Sequence, residues 1–261
     1  MRKLISLCLA GCLWCAGTLA GAAPLPRTIA AVKPSVVGIG THLRTRSPAI
    51  VFHATGFVVG DGLSVVSNAH AITTLDSERM ETLGIVTGKG DRLEFREAEV
   101  VTIDRAHDLV HLRLKGAPLP ALTLAGSELV DEGRELAFTG YPLGIQLGLN
   151  PVTHRALLSA QTPAILPTPT TRGLNPRAVA TLQRGAAFTL YQLDGTAYPA
   201  NSGSPVYDPE TGNVLAVINM TLVKGTKESA ITAPTGISYA IPVRHVHELL
   251  QQGGAQGGAT K

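Results

Sequence analysis

Three side chains in this chain have the types and surroundings needed to cleave an acyl bond. Ser202 stands in Tyr198-Pro199-Ala200-Asn201-Ser202-Gly203-Ser204-Pro205-Val206. Small residues and turn formers, followed by an apolar run, would hold a hydroxyl exposed with backbone N–H groups beside it. Acyl transfer needs that arrangement of a nucleophile next to an oxyanion site. The same letters are ordinary loop composition, so the segment alone is a weak signal. His70 follows Ser67-Asn68-Ala69 at the end of an apolar run, where a general base could swing into a cleft. Its plain alternative is a surface loop histidine. Asp108, in His107-Asp108-Leu109-Val110, could accept the second N–H of that histidine and fix its tautomer. Asp104 competes with it, and either could be a turn aspartate.

The combination is stronger than its parts. His70, Asp108 and Ser202 come in that order, 38 and 94 residues apart, with His and Asp in the first half and Ser in the second. Chymotrypsin-like proteases use this order, with the site between two six-stranded barrels. No Gly-x-Ser-x-Gly elbow of the α/β-hydrolase kind occurs.

The elements that would position these residues are short and β-rich. Ser35–Ile39 reads as a strand, and Gly56–Val59 and Leu63–Val66 flank a Gly-Asp-Gly turn. Leu83–Val86, Arg92–Phe95, Ala98–Ile103 and Leu109–Leu114 follow, the last with the alternation of a half-buried strand. Glu135–Phe138, Ala187–Tyr191, Pro205–Tyr207, Val214–Asn219 and Gly236–Ile241 complete the set. Many short strands with Gly, Pro and Asp turns mean an all-β barrel or sandwich. Two β-rich halves, parted near 120–135, would suit two small barrels; no internal repeat is evident. Only the end looks helical, from Val243 to Gln252 after Pro242. Thr162 to Arg184 is a long Thr/Pro/Arg-rich loop, and Gly253–Lys261 is expected to be a disordered tail.

Composition narrows the classes. With 22 basic against 19 acidic residues, a net charge of +3 and no Lys/Arg cluster, there is no footprint for nucleic acid. Residues 1–22 read as a secretory signal peptide: Arg2 and Lys3, an apolar run Leu4–Leu19, then Ala20-Gly21-Ala22. Leu9-Ala10-Gly11-Cys12 also has the form of a lipoprotein box, placed very early. Cleavage would remove Cys8, Cys12, Cys15 and Trp14, leaving no disulfide or thiol chemistry. No second apolar run reaches transmembrane length, so the expected product is soluble and periplasmic or secreted.

On these residues the chain resembles the trypsin-like serine peptidases of the bacterial HtrA type, from about Ser35 to Leu250. Ala54-Thr55-Gly56-Phe57-Val58-Val59 through Ser67-Asn68-Ala69-His70 resembles the family's histidine block. Glu99-Val100-Val101 through His107-Asp108-Leu109 resembles its aspartate block. Gly140-Tyr141-Pro142-Leu143-Gly144 matches a family loop. Gly236–Pro242 resembles the last strand and the start of the C-terminal helix. The serine block, Asn201–Val206, is nearer to bacterial glutamyl endopeptidases.

The resemblance implies two six-stranded antiparallel barrels over 24–252 with a short C-terminal helix, acting on protein or peptide substrates without metal or cofactor. It implies catalysis by His70, Asp108 and Ser202, with the backbone N–H groups of Ala200 and Ser202 as oxyanion donors. It places Thr196 near the base of the substrate pocket, Asn219, Met220 and Thr221 along a wall, and Ser238 nearby. The chain also departs from the family pattern. HtrA proteins usually carry a PDZ domain, and only nine residues follow Gln252, so none is expected. Ala200 stands where relatives have Gly; a positive φ there would cost a side-chain-bearing residue about 1–2 kcal/mol. Asn201 replaces the acid that many secreted relatives pair with a freshly cut N-terminus, so activation by cutting is not implied. The alternative is a binding module that keeps the protease fold without turnover.

The remaining histidines have quieter readings. His245 and His247 do not share a helix face, which argues against a metal site. His107 and His111 read as strand-surface groups, and His53 and His154 are candidates to line the cleft.

Overall fold

The computed structural model describes residues 25–73, 81–89, 92–144, 149–164, 188–219 and 236–257. The expected signal peptide, residues 165–184 of the long loop, and both Met220 and Thr221 lie outside them. Twelve strands form two closed barrels. The first contains β1 (Val36–His42), β2 (Ile50–Val59), β3 (Ser64–Asn68), β4 (Thr82–Lys89), β5 (Arg92–Asp104) and β6 (Leu109–Leu114). The second contains β7 (Glu135–Gly140), β8 (Val152–Pro163), β9 (Thr189–Asp194), β10 (Pro205–Tyr207), β11 (Val214–Asn219) and β12 (Ile237–Pro242). Every pairing between these strands is antiparallel. Going round, the order is β1-β2-β3-β6-β5-β4 and then β7-β8-β9-β12-β11-β10. The same connectivity is used twice, although the sequence shows no repeat, because the alternation of apolar residues rather than their identity sets each strand's inner face.

Each barrel has its own core. Val37, Ile39, Val58, Val65, Ile85, Val110 and Leu112 fill the first, and Leu136, Phe138, Leu158, Tyr191, Leu193, Val206 and Ile218 the second. A further cluster, with Val36, Phe57, Val66, Leu109, Tyr141, Tyr207, Val217 and Ile241, forms the seam between the barrels. Burial of that seam brings the ends of β3 and β6 against the second barrel. The connection from 115 to 134 is laced to both sides: Leu122 N–H donates to Val58 C=O and Ala125 N–H to Val214 C=O, each at 2.8 Å.

The structure changes several expectations. A helix α1, Leu25–Val32, precedes the first barrel and packs Thr28 and Val32 against the β10–β11 turn at Gly212. Pro26 in its first turn, with Leu25 and Val32 seven residues apart on one face, is the local helix signal. Strand β8 occupies a stretch with no strand reading and takes in Thr162 and Pro163 from the expected loop. Its alternation is masked by Leu157, 38% exposed on the outer face.

The C-terminal helix α2 runs Arg244–Gly257, so residues 253–257 are helical, not part of a disordered tail. The reason is contact: a Cβ on Gly253 would lie 2.9 Å from His111 Nδ1 and 3.0 Å from Thr102 Oγ1. Glycine there lets α2 lie directly on the first barrel. His111 is accordingly buried rather than on a strand surface. Among the described residues no helix is long and apolar enough to cross a membrane.

Candidate active site

The aspartate is delivered by a self-braced turn. Between β5 and β6, Asp104 Oδ1 accepts the N–H groups of Ala106 (3.0 Å) and His107 (3.1 Å). This Asx turn brings Asp108 out with φ +53, a conformation short polar residues tolerate. The Asp108 carbonyl is then held from β3: it accepts Ala69 N–H at 3.0 Å and Asn68 Nδ2 at 3.0 Å. Beyond β3 the chain enters a 3-10 turn, Ala69–Ile72, which carries His70. His70 N–H donates to Asp108 Oδ1 at 2.9 Å, and His70 Nδ1 lies 2.6 Å from Asp108 Oδ2. Facing a carboxylate, Nδ1 carries the proton of the neutral ring, and Nε2 keeps its lone pair.

A third donor comes from the other barrel. Asn219, at the end of β11, gives Nδ2 to Asp108 Oδ2 at 2.9 Å. The expected pocket-wall residue is thus a carboxylate partner. Nothing local could have revealed this, because the two residues are 111 positions apart.

The serine loop is joined to the histidine side through Thr55. The β2–β3 ladder stops at Phe57↔Val66. Past that point β3 parts from β2, and the Thr55 backbone is free to bind the second barrel. Thr55 N–H donates to Ser202 C=O at 2.9 Å, and Ser67 Oγ donates to Thr55 C=O at 2.7 Å. Gly203 sits in this gap, where a Cβ would lie 2.1 Å from the Thr55 carbonyl oxygen. Asn201–Ser204 forms a tight turn, closed by Ser204 N–H to Asn201 C=O at 3.0 Å, and Ser204 then pairs with Ile218 of β11.

Ala200 does adopt the left-handed region, at φ +75. For an alanine this costs about 1–2 kcal/mol, so neighbouring bonds must hold it. Among the described residues, the N–H groups of Ala200 and Ser202 donate to no backbone carbonyl.

Of the expected pocket residues, Thr196 and Ser238 are brought together. Ser238 Oγ donates to Gly195 C=O at 2.6 Å and accepts Ala197 N–H at 2.8 Å, bracketing Thr196. His154 stacks on Phe138 at 4.8 Å, with Tyr198 beyond it, and burial holds its pKa below 6.5. His53 bonds Thr41 Oγ1 at 3.1 Å within the first barrel.

A second cluster lies behind the Asp108 turn. His107 Nδ1 is 2.6 Å from Asp104 Oδ2, and the His107 ring stacks on His245 of α2 at 3.8 Å. His245 Nδ1 lies 2.9 Å from Glu248 Oε2, and Phe188 meets both rings edge-on. His107, His245 and Glu248 are near enough to suggest a metal. The rings are face to face at 17°, however, so their in-plane lone pairs run side by side instead of converging on one ion. His247 points elsewhere, to Ala125 C=O at 2.8 Å.

Known proteins match this architecture. A family model described as "Trypsin-like peptidase domain" matches residues 54–217, which include all three candidate residues. The mitochondrial serine protease HTRA2 of Bos taurus is 31% identical over 225 residues, 84% of this chain and 41% of the relative. Serine protease Rv3671c of Mycobacterium tuberculosis is 30% identical, covering 72% of this chain and 44% of the relative. A probable periplasmic serine endoprotease, DegP-like, of Halomonas elongata is 24% identical over 72% of this chain and 32% of its own. The chain therefore spans less than half the length of these curated relatives. Among solved structures, the HtrA-type protease AlgW with a tripeptide superposes with a TM-score of 0.61 at 19% identity, over 88% of this chain and 63% of that one. Rv3671c in an inactive form superposes with a TM-score of 0.58 at 22% identity, over 87% and 90%. The two structures match the double barrel. The family model, which spans more than half of the chain, leads to one conclusion: this chain belongs to the trypsin-like peptidase domain family.

Proposed function

We propose that the chain is an exported serine endopeptidase working through Ser202, His70 and Asp108. The observation that carries this reading is the Asp108–His70 pair, braced from three elements and tied through Ser67 and Thr55 to the Ser202 loop. Ser202 Oγ attacks a peptide carbonyl while His70 Nε2 takes its proton; the new C–O bond pushes electrons onto the carbonyl oxygen. Asp108 stabilises the imidazolium and holds its orientation. The N–H groups of Ala200 and Ser202 receive the oxyanion. Collapse breaks the C–N bond, and His70 passes its proton to the departing amine. Water, deprotonated by His70, then cleaves the acyl ester by the same route and returns Ser202.

Specificity follows from the described pocket positions. No carboxylate stands at Thr196 to receive Arg or Lys, and Asn219 is engaged with Asp108, which leaves it ill placed to read Glu. Small or medium apolar side chains fit best. The apolar leader Leu4–Leu19 and the periplasmic relative support export.

Fluorophosphonate labelling tests the reading. Wild type should label and cleave casein, and Ser202→Ala and His70→Ala should do neither while keeping the wild-type unfolding midpoint. Equal labelling of Ser202→Ala overturns the assignment. A folded wild type that neither labels nor cleaves points to the inactive binding module.

A further inference from the structure

The strained alanine at the oxyanion position needs something to hold it, and the side chain that should do so does not. Asn201, fully buried beneath the loop, has neither amide atom hydrogen-bonded among the described residues. Thr55 does the opposite. It has no exposed surface, and its hydroxyl is used in both directions. Oγ1 donates to Ala200 C=O at 2.8 Å and accepts Tyr141 N–H at 3.0 Å.

The two bonds act on the two peptide planes that flank Ala200. The first pins the Ala200 carbonyl directly. The second anchors the start of the Tyr141–Gly144 turn, closed by Gly144 N–H to Tyr141 C=O at 3.0 Å. Within that turn Leu143 N–H donates to Pro199 C=O at 2.8 Å. A peptide plane is rigid, so the N–H of Ala200 points opposite to the Pro199 carbonyl. Holding that carbonyl on Leu143 fixes where the Ala200 N–H is aimed. Both clamps pass through one hydroxyl on β2, in the other barrel. We propose that Thr55 is a positioning residue for the oxyanion site, its hydroxyl keeping Ala200 in the left-handed conformation that turns the Ala200 N–H toward the reacting oxygen. This rests on the peptidase reading for its consequence in catalysis, but not for its effect on Ala200.

The test compares Thr55→Val, nearly isosteric but without the hydroxyl, with Thr55→Ser, which keeps it. Two quantities are read on the full chain. One is the 13C Cα and Cβ shift of Ala200, which reports the sign of φ. The other is kcat and KM on a peptide substrate, beside the fluorophosphonate labelling rate. Thr55→Val should lose the positive-φ signature. Its kcat and labelling rate should fall about 10- to 100-fold with KM nearly unchanged, short of the 10²–10³ for an oxyanion donor removed outright. Thr55→Ser should retain both. Adding Ala200→Gly to Thr55→Val should recover labelling, since glycine needs no clamp at φ > 0; lost packing would not be rescued that way.

A Thr55→Val protein with the wild-type Ala200 shift and rate overturns the proposal. So does a Thr55→Ser protein as impaired as Thr55→Val. If Thr55→Val does not fold, Thr55→Ala is read by the same criteria. A wild type that no fluorophosphonate labels overturns the peptidase reading instead, and the Ala200 shift then decides Thr55 on its own.

Discussion

The β5–β6 turn builds the same carboxylate–imidazole contact at both of its ends. At one end Asp108 Oδ2 lies 2.6 Å from His70 Nδ1, and Oδ1 accepts the His70 N–H at 2.9 Å. At the other, Asp104 Oδ2 lies 2.6 Å from His107 Nδ1, and Oδ1 accepts the His107 N–H at 3.1 Å. As isolated pairs they are chemically alike. Their settings differ. Asp104 and His107 are three residues apart and close the turn on itself, with the His107 ring covered by His245 and Phe188. Asp108 and His70 are 38 residues apart and join two elements, with Asn219 adding a donor from the second barrel. An Asp–His pair is therefore not a catalytic device in itself. What sets the Asp108–His70 pair apart is a carboxylate held from several elements.

The largest expected effect falls on the pair between elements. Asp108→Asn should lower kcat by about 10⁴-fold, because an amide in place of the carboxylate favours the wrong tautomer of His70. Its thermal unfolding midpoint should move little, since the backbone bonds to Asp108 C=O survive. A loss under tenfold would mean that another group orients the base. Asn219→Ala comes next. It removes one of three donors on the carboxylate, and kcat should fall about tenfold, roughly 1.4 kcal/mol of transition-state stabilisation, with KM nearly constant. A rise in KM with kcat unchanged would return Asn219 to the pocket wall.

The turn-internal pair should answer in stability. Burial alone would raise the Asp104 carboxyl, but the His107 side chain and the N–H groups of His107 and Ala106 outweigh it and hold the group below 3.8. Asp104→Asn gives up the charged acceptor for His107, and urea unfolding should show a loss of about 1–2 kcal/mol. Its kcat should stay within about threefold of wild type, as the turn's backbone bonds can still form. If Asp104→Asn lost as much kcat as Asp108→Asn, the contrast between the pairs would collapse.

What was legible in the sequence follows the range of the interactions. The Gly-Asp-Gly turn at 60–62 is local, and the strands around it lie where the pattern puts them; Leu109–Leu114 is a strand as expected but is buried at nearly every position instead of alternating. The resemblance of the His70 and Asp108 blocks to the family, not their spacing, selected Asp108 over Asp104, and Asp108 is the carboxylate that lies against His70. Strand β8 was not legible, because alanine and outward-facing Leu157 blur its period. Nor was the bracing of the site. Asn219 reaches Asp108 across 111 residues and Thr55 reaches Ala200 across 145, and no local pattern encodes either bond. Ala200 was the exception. A residue type at odds with a glycine position signalled in advance a backbone strain that the structure contains, at φ +75.

The smallest expected effect comes from the stack that covers His107. His245 is buried, with Arg244 Nε donating to its Nε2 at 3.2 Å, Glu248 on its Nδ1 at 2.9 Å, and His107, backed by Asp104, on its face. Burial, with His107 and Arg244 adding to it, outweighs Glu248 and holds its pKa below 6.5. The unfolded chain therefore takes up a proton at this position before the folded one does. Stability is full above about pH 6.5 and is lost as the pH falls below it. His111 and His154, also lowered by burial, act in the same direction, so the wild type should weaken in mild acid. Activity reports the chemistry at Ser202 and not the fold, so it cannot isolate this effect. Urea unfolding at about pH 7.5 and 5.5 can. His245→Gln removes one of these three lowered histidines and should shrink the acid loss without abolishing it. An unchanged acid loss would mean that the stack yields before it titrates, leaving Asp104 alone to brace the turn that carries Asp108.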